Sequence, residues 1–592
     1  MKIILLLSIL LAFTSYSQEL ISQENVPPGW LSKFEKSGYL ETERYEETIN
    51  YFRKLANHSE FAKLFSFGIS PQGRDLYCLV ISKDKAFNPK EVKKNDKPII
   101  LIINGIHSGE IEGKDASMLL LREMLISKEK ENLLNSVVLL VVPIFNVDGH
   151  ERFSAYNRIN QNGPKEMGWR TTSQNLNLNR DWMKADAPEM QAMLKLFSSW
   201  LPDFLIDTHT TDGADYQYTI TYGIEKFQNI YSGTAYWIKN NFIPYLEDRV
   251  NNTGFKVTKY IALRNWSAGL DSGIVNWAAT PRFSNGYAAV QNRPALLIET
   301  HMLKPYKDRV FATEAMIESA IKYINEHPNE LLKLNADADS SSMKEFHTDE
   351  KYLPVSFYTT NKHKEILFKG IQYRKDSSWV SGAKKIVYTG KKTDMNVSYY
   401  YDVRVRDSVS VPVAYLIPKE WGEWDNIIER IKMHGIKVEE LLEDNLMEVT
   451  RYRFKNVNFA SSSYEGHQRV DCDYDTLHET LMIPRGTYII NTNQRTIRVI
   501  ANLLEPKSED SFLRWGFFNS IFEQKEYFES YVMEKIALEM MKADPKLKQE
   551  FEKKLSGDKE FRNNPYARLN FFYERSPYYD KEKNMYPVMR VE

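Results

Sequence analysis

Ile99 to Ile103 is an unbroken run of five aliphatic residues between Lys97-Pro98 and Asn104-Gly105. A strand with one face in water alternates apolar with polar side chains, so a continuous run predicts a strand covered on both faces. Val137 to Phe145, Phe204 to Ile206 and Ala295 to Ile298 read the same way. Between them lie segments of helical period: Met118, Leu119, Leu121, Met124 and Leu125 within Ala116 to Ile126, and Met190, Met193, Leu194, Phe197 and Leu201 in a helix beginning near Ala187. The alternation predicts an α/β fold, a mixed and mostly parallel sheet with helices on both faces. Ligands of such sheets sit beyond the carboxyl ends of the strands.

Polar residues collect at those ends. His107 and Glu110 follow the first run, Asp207-Thr-His209 follows the third, and Glu299 follows the fourth. A hydrolytic zinc ion takes three His or carboxylate ligands and keeps one position for water. Each element alone has a plainer explanation: a chance His-x-x-Glu, a histidine capping backbone, a solvated glutamate. Their joint placement on one rim is what points to a metal. Between the histidines lie Asn146-Val-Asp148-Gly149, Trp169-Arg170 and Asn177-Leu-Asn179-Arg180. Arginine binds a free carboxylate bidentately and asparagine adds a neutral donor, so Arg170, Arg180 and Asn179 are candidates for a chain-end site.

The charges nearly cancel, 78 Lys and Arg against 79 Asp and Glu, which argues against a nucleic-acid binder. Lys2, the apolar stretch Ile3 to Phe13 and the small residues after it read as a signal peptide over residues 1–17, too short to span a bilayer. No cysteine is near enough to anchor a lipid, so the expectation is a secreted or periplasmic protein without a membrane span. Cys78 and Cys472 lie far apart and read as independent buried thiols, with a single bridge left open.

Ser70-Pro-Gln-Gly73-Arg74, His107-x-x-Glu110, Asn146-x-Asp148-Gly149, Trp169-Arg170, Asn179-Arg180, His209 and Glu299, in this order over about residues 40–310, resemble the M14 zinc carboxypeptidases. The resemblance implies one zinc ion on His107, Glu110 and His209, with Glu299 as general base and acid. It implies that Asn179 and Arg180 hold the terminal carboxylate of a peptide or protein substrate and that Arg170 polarises the scissile carbonyl. Three departures stand out. Asn177 occupies a place where better-known members carry an acid. The substrate-capping tyrosine has no secure counterpart, Tyr287 being the best candidate. The stretch from Trp277 to Glu299 is longer than in the small digestive enzymes, and Arg282 within it is a candidate for acidic specificity, though a surface role is simpler.

Domain boundaries read as a catalytic domain over 24–330, a strand-rich mixed α/β accessory domain over 345–505 and a helical segment over 506–592. Asn335 to Ser342 reads as a linker, Ser511 to Ala543 as helical, and His434, His467 and His478 as scattered surface histidines. Two other functions stay open: a peptidoglycan peptidase, amidase or deacylase on the same scaffold, and a non-catalytic binding protein. The Asn179-Arg180 pair disfavours the first, and an intact ligand set with Glu299 disfavours the second.

Overall fold

The computed structural model describes residues 26–345 and 352–592, so the expected signal peptide lies outside the described residues. The catalytic half is built on eight strands: β1 (Ala62–Ile69), β2 (Asp75–Ile81), β3 (Ile99–Ile103), β4 (Val138–Val142), β5 (Phe204–Thr211), β6 (Ile220–Gly223), β7 (Val257–Lys259) and β8 (Ala295–His301). They are ordered β1-β2-β4-β3-β5-β8-β6-β7. The four central strands β4-β3-β5-β8 are parallel, while β1, β2 and β6 pair antiparallel at the flanks.

The aliphatic runs have the physical cause their pattern implied. Ile99, Leu101 and Ile103 pack on one face with α3 (Pro188–Trp200) and α4 (Ser284–Val290), whereas Ile100 and Ile102 pack on the other with α2 (Glu112–Leu125) and α5 (Tyr306–Glu326). Each such side chain, fully buried, contributes roughly 1.5–3 kcal/mol, which leaves no solvent face for a polar residue to occupy.

The α3 face is also where the rest of the chain docks. Its apolar cluster continues without a break into Ile427 and Ile431 of α7 (Ile427–Met433), Phe512, Trp515 and Tyr586, so the two halves share one core. An antiparallel sheet lies beyond, ordered Glu439–Glu440, Tyr488–Asn491, Ala414–Ile417, Met589–Val591, Asn445–Phe459 and Val470–Ile483. The chain after residue 506 thus returns into this sheet.

Three expectations need correction. Asn335 to Ser342 is not a linker but part of α6 (Pro328–Glu345): Asn335 and Ser342 face inward, and Asn335 Nδ2 donates to Asp203 O and Oδ1 at 3.0 Å each. Ser511 to Ala543 is not one helix. Gly516, at φ +86°, breaks it, and Phe512, Leu513, Trp515 and Phe518 are drawn into the shared core, leaving a 3-10 turn at Asn519–Phe522 and an α-helix at Ser530–Ala543. His434 is fully buried rather than on the surface. The two cysteines are free, Cys78 buried and Cys472 partly so.

His434 joins the halves. Its Nε2 lies 3.1 Å from the Met183 carbonyl oxygen and must carry the proton, so Nδ1 accepts from Tyr287 Oη at 3.0 Å. Burial pushes this imidazole down to about 4. The unfolded chain, with an imidazole near ~6.5, therefore binds the extra proton between those values. Stability from this group is complete above the unfolded value and declines as pH falls through the window, by up to ~1.4 kcal/mol per pH unit. The urea midpoint is expected to fall between pH 7 and 5, and His434→Gln, less stable at pH 7, to show a shallower fall; an equal slope in both chains refutes the assignment.

Candidate metal centre and active site

Parallel register assembles the site. β3 pairs Ile103 with Asp207, and β8 pairs Glu299 with His209, so the groups that follow separate runs stand side by side. His107 and Glu110 sit in the loop after β3, in a turn closed by Glu110 N donating to His107 O at 2.8 Å. One ligand atom from each of His107, Glu110 and His209 lies within 4.8 Å of the others, and all three residues are buried.

The tautomers follow from the partners. Asn177 Oδ1 accepts from Asn179 N at 3.0 Å, which fixes it as the oxygen, and His107 Nε2 lies 3.0 Å from it and must be the N–H. His107 Nδ1 then has its lone pair 3.2 Å from Glu110 Oε1 and no hydrogen-bond partner, although buried. His209 Nε2 lies 2.8 Å from Asp207 Oδ2, and its Nδ1 lies 3.0 Å from Glu110 Oε2. An imidazole lone pair aimed at a carboxylate is stable only with a cation between them. A single metal ion fits this donor set of two imidazoles and one carboxylate, which suits zinc.

The electrostatics of the site agree. Burial drops His107 to about 3, so it is neutral. Burial also opposes charging His209, but Asp207 and Glu110 outweigh it and hold the imidazole well above the usual range. The site therefore calls for one positive charge beside Glu110, from a proton or from a metal. Glu110 itself stays ionised well below the usual carboxylate range because Arg158 and His107 overcome its burial. Burial raises Glu299 to about 8, with Glu110 and Asp207 adding repulsion.

The cleft over this centre encloses about 450 Å³ and is lined by the three donors, Arg158, Arg170, Asn179, Arg180 and Glu299, with Tyr260, Trp266, Trp277 and Phe283 as aromatic walls. Arg170 Nη1 lies 3.1 Å from Glu110 Oε1, and Asn146 Nδ2 donates to the Arg170 carbonyl at 3.2 Å, so the Asn146-x-Asp148 motif holds the Arg170 loop. Asp148 in turn accepts from Ser70 Oγ and Arg74 Nη1, each at 2.7 Å. Asn179 Oδ1 accepts from Ser284 N at the start of α4, and the Arg180 guanidinium lies 4.2 Å over the Phe283 ring.

Residues 48–223 match the zinc carboxypeptidase model of the peptidase M14 family. The chain carries an M14 zinc carboxypeptidase domain. Carboxypeptidase 2 of Trichophyton rubrum is 22% identical over 512 residues, covering 83% of this chain and 86% of that protein. Carboxypeptidase 2 of Trichophyton equinum is 22% identical over 510 residues, with 83% and 86% covered. Among solved structures, a metallo-carboxypeptidase from Burkholderia cenocepacia is 15% identical, covering 48% of this chain and 70% of its own at a TM-score of 0.35. The carboxypeptidase A from Helicoverpa armigera is 17% identical, covering 50% and 73% at 0.33. The chain is accordingly a hydrolase of the metallocarboxypeptidase class.

The carboxypeptidase cleft does not include every expected residue. Tyr287 is fully buried beneath it, bonded to His434 and Gln291, because α4 turns that side chain into the core against Trp182 and Phe197; it cannot cap a substrate. Arg282 is also excluded: its Nε pairs with Asp510 Oδ1 at 2.7 Å. Two residues were missed. Asp207 was readable, since Asp-x-His on a strand puts both side chains on one face. Arg158 was not. It crosses Gly109 to place Nη1 2.9 Å from Glu110 Oε1, and a Cβ at Gly109 would lie 2.5 Å from Arg158 Cγ.

Asp207 orients His209 as a carboxylate behind a metal ligand does, and removing such support typically costs 10- to 100-fold in metal affinity. Asp207→Asn is expected to fold, and to lose zinc to a chelator at about 10- to 100-fold lower chelator activity than the unaltered chain. Equal retention in a competition titration counts against the role.

Proposed function

We infer that this chain is an exported zinc-dependent carboxypeptidase that removes C-terminal residues from peptides. The observation carrying the reading is that the His107, Glu110 and His209 donors, Glu299 beside His209, and the Arg170 and Arg180 guanidinium groups all border one cleft. His107, Glu110 and His209 would hold the ion, which when bound acidifies a water toward ~7 and acts as a Lewis acid on the scissile carbonyl. Glu299 Oε, held with a raised proton affinity by its buried acidic neighbourhood, accepts the proton of the attacking water and returns it to the departing amine. Arg170 is 39% exposed in its side chain, open to the cleft, and stabilises the charge that develops on the carbonyl oxygen. Arg180 with Asn179 binds the free carboxylate, which orients the last peptide bond and excludes internal ones. Export is supported by the signal-peptide pattern of residues 1–17.

Free-acid peptides incubated with the full chain are expected to shorten stepwise from the C-terminus, and amidated copies to resist. Glu299→Gln is expected to keep one zinc per chain and lower kcat/KM by about 10²- to 10⁴-fold, and chelation to abolish cleavage until zinc is restored. Mass spectrometry of a mixed library reads all three. Cleavage of amidated peptides at equal rate points instead to an amidase or endopeptidase, and no cleavage by the zinc-loaded chain points to cell-wall peptide or to a binding role.

A further inference from the structure

A hairpin loop of the accessory half reaches the rim of the cleft. It joins the strands Asn445–Phe459 and Val470–Ile483 and ends in a tight turn, Tyr464 to His467, whose central residues Glu465 and Gly466 have φ of +50° and +81°. Positive φ at both positions makes the two-residue turn that twisted strands prefer, and Gly466 meets the requirement without strain. Tyr464 N donates to His467 O at 2.9 Å and His467 N returns to Tyr464 O at 3.1 Å.

Each of the turn's side chains meets the catalytic half. His467 Nε2 lies 2.7 Å from Asp186 Oδ2. Glu465 Oε2 accepts from the backbone N–H of Asn177, the residue that orients His107. Tyr464 Oη accepts from Arg180 Nε at 3.2 Å, and the Tyr464 ring stacks on the buried Trp515, centroids 5.9 Å apart at 10°. With Arg180 Nη1 donating to the Asn179 carbonyl at 2.7 Å and Phe283 beneath its plane, the guanidinium is fixed on three sides. Among the described residues its Nη2 makes no hydrogen bond, and neither does the Tyr464 O–H as a donor.

We propose that Tyr464, supplied by the accessory half, is a positioning residue of the substrate-carboxylate site, accepting from Nε and so setting the angle of Arg180 at which Nη2 meets the substrate carboxylate. A flexible arginine otherwise loses side-chain entropy each time it binds a ligand, and a guanidinium already held by Nε and Nη1 loses less. The accessory half is then part of the machinery that selects chain ends, and this rests on the carboxypeptidase reading of Arg180.

Tyr464→Phe keeps the ring on Trp515 at a residue 38% exposed, so the full chain is expected to fold with an unchanged melting temperature. The carboxylate is bound alike in the ground and transition states, so KM for a free-acid peptide should rise about tenfold while kcat stays within about twofold. In an Arg180→Ala chain, already weak, Tyr464→Phe should change KM no further, because its effect runs through that guanidinium. A turn that only braced the domain interface would still act there, through Glu465 and His467. An unaltered KM in Tyr464→Phe, or a full effect persisting in the Arg180→Ala chain, overturns the role of Tyr464 alone. An unaltered protein that cleaves free-acid and amidated peptides equally overturns the carboxypeptidase reading and this inference with it.

Discussion

Glu110 is the group around which the catalytic half is arranged. An ionised carboxylate buried without partners would cost several kcal/mol, and it would protonate instead. Here Oε1 faces His107 Nδ1, Arg158 Nη1 and Arg170 Nη1, while Oε2 faces His209 Nδ1 and accepts from the Thr210 N–H at 3.0 Å. These partners come from four segments: His107 from the β3 loop, Arg158 and Arg170 from two excursions after β4, and His209 with Thr210 from β5. The carboxylate thus ties together the strand ends that the parallel sheet merely brings near, and its charge keeps the imidazoles aimed at one point.

The two imidazoles are supported unequally. His209 has a carboxylate behind it, Asp207, itself held by Ser284 Oγ; His107 has the neutral amide of Asn177. A carboxylate partner raises the basicity of a ligand more than an amide does. The anionic support therefore lies behind the strand histidine, and the amide at position 177 serves geometry, with its oxygen shared between His107 and the Asn179 backbone.

The accessory half is more than an appendage. Its core is continuous with the α3 face, and its ionic contacts converge near the cleft: Arg430 Nη1 and His467 Nε2 both bind Asp186, at 2.8 and 2.7 Å, a few residues after Arg180. Packing this extensive leaves little freedom for the halves to move apart, so the rim built by Tyr464 and Glu465 is as fixed as the strand ends below it.

Much of this was legible in the chain itself. The aliphatic runs determined a sheet covered on both faces, because nothing polar can sit in such a strand, and each run's carboxyl end necessarily placed His107, Glu110, His209 and Glu299 on one rim. The period of two likewise fixed Asp207 beside His209. Tertiary structure alone decided the rest. Tyr287 belongs to the core because α4 packs flat on the sheet and turns that face inward; Arg158 reaches Glu110 only where Gly109 leaves room; Tyr464 meets Arg180 across 284 positions of sequence. Backbone periodicity records which way a side chain points within its own element. It holds no record of which loop closes over which, because that is set by how distant apolar faces fit together.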